Sequence, residues 1–354
     1  GACDAVAVTA EPDPPPLPTE PPVEFVFEAE LLAECETFVR SAAQRLWATF
    51  AFLFADRGLA LPALRLIVAD DLMAAASRQY AEFGLGPDRR EGVERLGGIA
   101  VGKTIRNDGG DYAAVIIAAD VANHPNGIAQ YCCAGMIGHE FGHVLYGTAR
   151  DAAIGATDDV SMPWDVAGMI AVVAAEEYRV DRLSQLLVER ALPATDDDGN
   201  PVTLAALNGT FYLDGLADAL DTVVPGLPDT VNRYRAYDMA LEDMWRHVAY
   251  VSEHITLFCA HADAFHDSAF YDGAPLFEAL PEHPGRELLA SVWLPLAEHL
   301  HGSPLLPDAE NWSEDRTQID AAGRDGWARA WQRLGLCATL NGDTFHLAVT
   351  APQV

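Results

Sequence analysis

Apolar positions along the chain repeat with two periods, and the switch between them divides the sequence into helices and strands. From about Ala29 to Arg57 they recur at helical spacing and stop at Gly58. Leu64 to Ala69 is a short apolar run that predicts a strand, and helical spacing returns from Asp71 to about Phe83. Gly98 to Ile105 and Tyr112 to Ala119 predict two more strands, joined by the turn Asn107-Asp108-Gly109-Gly110. Gly127 to Tyr146 is small or apolar almost all round, as in a helix buried in the middle of a domain. After a loop from roughly Gly147 to Met162, Pro163 fits the first turn of another helix. Its apolar positions run through Val166, Ile170, Val173, Val180, Leu183 and Leu187.

Beyond residue 190 the acidic turn Asp196-Asp197-Asp198-Gly199 opens a largely helical half. Helices are predicted near 203–221, 229–260, 286–301 and 315–334. A hairpin turning at Asn341-Gly342, between Ala338–Leu340 and Thr344–Val349, closes the chain. The expected fold class is α+β and mostly helical, with a small mixed sheet of three or four strands. Residues 24–190 form a first domain, and residues 191–354 form a helical region packed on it. Residues 1–23 are a Pro-rich tether, since EPDPPPLPTEPP at 11–22 fits neither a helix nor the interior of a sheet.

Composition narrows the partners. Asp and Glu number 53 against 22 Lys and Arg, for a formal net charge of −31, and Lys103 is the one lysine. Such a surface repels phosphates, so nucleic acid and anionic membranes are excluded as partners. No apolar run reaches the roughly 18–20 residues that cross a bilayer, so no transmembrane segment is expected. The six cysteines, at 3, 35, 132, 133, 259 and 337, form neither a C-x-x-C pair nor a dense framework. Cys132 and Cys133 are expected to be small buried hydrophobes. Gly1-Ala2-Cys3-Asp4 suits a trimmed secreted or lipid-anchored protein modified at Cys3, and equally a cytoplasmic protein with a plain disordered tail. Compartment and oligomeric state stay open.

Chemistry enters at His139-Glu140-Phe141-Gly142-His143, which reads H-E-x-x-H. Residues four apart stand one above the other on a helix, so both imidazoles can share one zinc ion. Glu140 lies beside the same ion, where its carboxylate can act as base toward a zinc-bound water. Two His and a Glu in so apolar a helix each need a partner, and a divalent metal serves all three. Gly135, Gly138 and Gly142 weaken the helix and make sense if another backbone or a substrate must come close.

The metzincin pattern H-E-x-x-H-x-x-G-x-x-H fails, because Tyr146 stands where Gly is required and Ala149 where the third His is required. The next helix carries Glu176-Glu177-Tyr178-Arg179-Val180-Asp181-Arg182. Glu177 and Asp181 share a face, so one can reach the metal while the other accepts the free ring N–H of a ligand His. Glu176 is the alternative ligand, but Val180 stands four residues after it and cannot accept a hydrogen bond.

These two motifs resemble the gluzincin metallopeptidases. Glu177-Tyr178-Arg179-Val180-Asp181-Arg182 is similar to the E-Y-x-A-D-R segment of the heat-shock and prenyl-protein protease type, and to minigluzincin domains. Val180 departs from the usual Ala. The resemblance covers residues 97–190 and implies a zincin-like domain built around an active-site helix. It implies His139, His143 and Glu177 as zinc ligands, Glu140 as general base and Asp181 behind a ligand His. A protein or peptide substrate follows from it, paired to an edge strand just before the metal helix, at Val115–Ala119. The competing expectation keeps this fold as a catalytically silent binding or regulatory module.

A transition-state donor remains unassigned among Tyr146, His124 and Tyr178. His247, His254 and His261 recur every seven residues on one predicted helix, about 10 Å per heptad. That spacing is too wide for three to share a metal, so they are expected to line a cleft or lie on the surface.

Overall fold

Two central strands are apolar on both faces, and helices must therefore cover both sides of the sheet they form. The computed structural model describes residues 21–352, apart from 87–93, 96–97, 100, 156–165, 196–198, 223, 267–275, 277–279, 281, 284 and 342–343. Strands β1 (Val23–Phe27), β2 (Ala63–Ala69), β3 (Gly102–Arg106) and β4 (Tyr112–Ala118) form a four-stranded sheet in the order β1-β2-β4-β3. β1, β2 and β4 are parallel, and β3 lies antiparallel along β4 at the edge, with Thr104 opposite Val115.

Alternation along β2 and β4 sorts the core. Leu64, Leu66, Val68, Val115 and Ile117 face helices α1 (Ala33–Asp56) and α3 (Gly127–Ile154). Ile67, Ala69, Ala114 and Ile116 face α2 (Leu72–Glu82) on the other side. Helix ends follow local chemistry. Asp71 caps α2 by accepting from the Ala74 amide at 2.9 Å, and Asn126 caps α3 by accepting from Ile128 at 2.8 Å. α1 runs out into Gly58, which takes φ +65°.

The remainder is helical: α4 (Val166–Ala191), α5 (Leu204–Thr222), α6 (Gly226–Arg235), α7 (Leu241–Phe265), α8 (Gly285–Gly302) and α9 (Trp312–Arg333). The antiparallel hairpin β5 (Leu336–Asn341) and β6 (Thr344–Val349) follows. The chain is α+β and mostly helical, with a mixed four-stranded sheet. Among the described residues no helix is long and apolar enough to cross a membrane.

Helix α4 belongs to two cores. Ala167, Ile170, Ala171, Ala174 and Tyr178 pack with α7, α8 and α9, whereas Val180 and Val188 pack with α1, α3 and the sheet. Leu204, Phe265 and Trp312, from beyond residue 190, complete that second cluster.

Three expectations change. Val115–Ala119 is not an edge: β4 lies between β2 and β3, and the edge is β3, because the chain turns back at Asn107–Gly110 and fills the position that was expected to be open. The loop expected from Gly147 begins only after Ile154, since Val144, Leu145, Tyr146 and Ala149 keep the buried face of α3 going. The helix predicted over 229–260 is two helices, broken at 236–240, where Tyr237 takes φ +64°. The predicted tether falls largely outside the described residues.

Candidate metal centre

Helices α3 and α4 approach closely because α3 presents glycines to α4. A Cβ at Gly142 would stand 2.8 Å from Val180 Cγ1, and one at Gly138 2.5 Å from Val188 Cγ2. Gly135 faces Leu204 of α5 in the same way. The nearest neighbours are helix side chains, and the α4 backbone also comes close: the Val180 and Ser184 carbonyl oxygens would stand 3.6 and 3.9 Å from a Cβ at Gly142 and Gly138.

Across this contact His139, His143 and Glu177 converge. The Nε2 atoms of the two histidines are 3.1 Å apart, and Glu177 Oε2 lies 3.3 Å from His139 Nε2 and 3.5 Å from His143 Nε2. A tetrahedral zinc with bonds of 2.0–2.1 Å separates its ligand atoms by about 3.3 Å. The triangle therefore has the dimensions of one tetrahedral face, and its donors, two imidazoles and a carboxylate, are ones zinc takes. The imidazoles keep 15% and 18% side-chain exposure, while Glu177 Oε2 is buried.

Each histidine is oriented from behind through Nδ1. His139 Nδ1 is 2.7 Å from Asp181 Oδ1, one turn along α4 from Glu177. His143 Nδ1 is 3.0 Å from Glu176 Oε1, whose other oxygen accepts from Arg150 Nη1 at 3.3 Å. Glu176, the alternative ligand, instead holds a ligand candidate in place. With both Nδ1 atoms so engaged, both Nε2 atoms are free to face a cation.

The charges are mutually compensating. Burial opposes a proton on His143, yet Glu177 and Glu176 beside it push its pKa up to about 9. Burial also disfavours charge on His139, but Asp181 and Glu177 hold its pKa well above the usual imidazole value. Burial works against an ionised Glu177 too, and the two imidazoles outweigh it, keeping its pKa well below the usual carboxylate range. The constellation is built for a positive charge among its nitrogens and carboxylates.

Asp181 has a second client. Its Oδ2 is 2.6 Å from Nδ1 of His261 on α7, and His261 Nε2 lies 4.0 Å from Glu177 Oε2. That Nε2 is buried and has no hydrogen-bond partner among the described residues. Tyr212 of α5 stacks on the ring at 4.8 Å and 18°. The heptad histidines thus part company: His247 is exposed, His254 is buried on the Tyr250 carbonyl at 2.7 Å, and His261 is at the site. His261 sits in the run Cys259–Phe265, the longest continuously buried stretch of α7, where an imidazole needs a partner. That was the available signal, but nothing local names an acid 80 residues upstream.

The three donors considered from sequence point elsewhere. Tyr146 packs on Trp312 at 4.8 Å and accepts from Arg179 Nη1 at 3.3 Å. Tyr178 packs beside Trp293 and His301, and His124 is exposed before α3. Cys133 is buried and Cys132 half-buried, and neither belongs to the metal-binding group.

Glu140 is 5% exposed and turns toward β3. Thr104 Oγ1 stands 2.7 Å from its Oε2 and 2.9 Å from its main-chain oxygen. Two positions along, Arg106 forms an ion pair with Asp151, so the edge strand is tied to α3 at two points. Compared with family models, curated proteins and solved structures, the chain matches none of them.

Proposed function

We propose that this chain is a zinc-dependent peptidase of gluzincin type, with a zincin-like domain formed by the sheet and helices α1 to α4. The observation that carries this is the triangle of His139 Nε2, His143 Nε2 and Glu177 Oε2, with sides of 3.1, 3.3 and 3.5 Å, where Glu140 directly follows the first histidine on its helix. Zinc held by these three residues would act as a Lewis acid toward a water and the scissile carbonyl.

The chain's own groups supply the rest. Glu140 takes the proton from the attacking water and passes it to the leaving amine. Asp181 and Glu176 fix the tautomers and orientations of His139 and His143. His261 Nε2, backed by Asp181, is the group available to donate to the carbonyl oxygen as negative charge grows there. The outer edge of β3 is unpaired among the described residues, so an extended peptide can align along it by backbone hydrogen bonds. Such pairing supports a protein or peptide substrate and makes few demands on side chains.

The test measures bound zinc and casein cleavage for wild type, Glu140→Gln and Glu177→Ala. The expected result is that Glu140→Gln keeps zinc and loses cleavage, while Glu177→Ala loses both. Equal cleavage by wild type and Glu140→Gln would sink catalysis and leave a silent binding module. A wild type that binds no zinc would sink both.

A further inference from the structure

A base works only when it is held where the proton will be, and Glu140 has no rigid anchor on its own helix. The structure places it against β3 instead. Thr104 donates one hydroxyl proton and has two acceptors on Glu140, the main-chain oxygen at 2.9 Å and carboxylate Oε2 at 2.7 Å. An ionised carboxylate is the stronger acceptor, so the hydroxyl secures the side chain. Gly102, on the same face of the strand, supplies the wall: a Cβ there would overlap Oε1 and stand 3.0 Å from both Cδ and Cγ of Glu140. Glu140 thus lies between a hydroxyl that holds one oxygen and a bare Cα against which the other rests.

We propose that Thr104 and Gly102 are positioning residues for Glu140, and that the edge strand, besides binding substrate, sets the base. The proposal rests on the peptidase reading given above. A hydroxyl that merely joined strand to helix would need only the main-chain oxygen, and the first residue of a strand, at φ outside the left-handed region, has no need of glycine for its backbone. Both features are accounted for by one carboxylate. The same strand is the one along which a peptide would pair, so substrate alignment and base position share a rigid element.

The experiment compares zinc-loaded wild type, Thr104→Val, Thr104→Ser and Gly102→Ala. It reads zinc affinity by chelator competition, kcat and KM on labelled casein, and the crystallographic position of the Glu140 carboxylate. Thr104→Val and Gly102→Ala are expected to keep zinc affinity and KM within about 3-fold while kcat falls about 100-fold, the cost of displacing a catalytic group by roughly 1 Å. Thr104→Ser, which keeps the hydroxyl, is expected to recover kcat to within about 5-fold of wild type. The carboxylate should move in the Val and Ala variants and stay in the Ser variant.

A Val variant with wild-type kcat, a Ser variant as slow as Val, or an unmoved carboxylate in Gly102→Ala would overturn the proposal. Should Thr104→Val fail to fold, Gly102→Ala decides alone, because its added methyl meets only the movable end of a side chain. If wild type cleaves nothing, the peptidase reading falls, and the carboxylate positions still report whether β3 sets Glu140.

Discussion

Asp181 and His261 are 80 residues apart in the chain and 2.6 Å apart in the fold, and the same carboxylate holds His139 through its other oxygen at 2.7 Å. One acid therefore orients a ligand candidate and the nearest candidate for transition-state contact. Their substitutions should separate these roles. His261→Ala is expected to lower kcat about 10²–10³-fold with zinc affinity nearly unchanged. Asp181→Ala should weaken zinc binding about 10–100-fold as well. Chelator competition and steady-state kinetics distinguish them, and a His261→Ala enzyme with full kcat would remove that residue from the mechanism.

The imidazoles make the metal-free chain sensitive to alkali. His143 has an ordinary pKa of 6.5 and a folded one of about 9, so the folded state holds its proton more tightly than the unfolded state. The stabilisation is complete below about 6.5 and disappears as pH rises through about 9, and His139 is shifted in the same direction. After chelation, Tm should fall between these pH values. Zinc requires the bare nitrogens, so its affinity should rise over the same window with release of protons. Calorimetry in buffers of different ionisation enthalpy measures both, and a metal-free Tm that is flat across the window would contradict the shifts.

A buried ion pair fastens α4 to α9. Arg179 donates through Nη2 and Nη1 to the two oxygens of Asp315 at 2.6 and 2.7 Å, and its side chain is fully buried. Asp315→Ala leaves that guanidinium with little but the Tyr146 hydroxyl, and the expected loss is about 3–5 kcal/mol of unfolding free energy. Urea denaturation checks it. A loss below about 1 kcal/mol would mean that water replaces the carboxylate.

Val180 fills the space over Gly142, where the E-Y-x-A-D-R pattern has Ala. Gly142→Ala should therefore cost about 1–3 kcal/mol through overpacking. Adding Val180→Ala should restore part of it, and a double-mutant cycle reads the coupling. Strictly additive losses would show that the two positions do not meet as described.

Much of the first half was legible because its patterns are local. Short continuous apolar runs located β2 and β4, Asp71 and Gly58 marked helix ends, and H-E-x-x-H with E-x-x-x-D named His139, His143 and Glu177, which converge, and Asp181, which backs His139. What sequence left out depends on residues far apart. Nothing near Val115 says whether the returning chain will occupy the neighbouring edge, and nothing near His261 points to Asp181. Four residues after Glu176 stands Val180, which says nothing of its actual partner, His143 on another helix. Thr104 is a β-branched residue in a strand, ordinary in sequence, and only the fold sets Glu140 against it.

Helix α4 changes cores between Tyr178 and Val180: apolar residues up to Tyr178 pack with the later helices, and Val180 and Val188 pack with α1, α3 and the sheet. A nascent chain that has emerged only as far as Ala191 carries both histidines, the base and the third carboxylate. It lacks His261, and half of α4 has nothing to pack against. Order of synthesis thus imposes a delay between having the candidate ligands and having the helices that pack around α4 and bring His261 to Asp181.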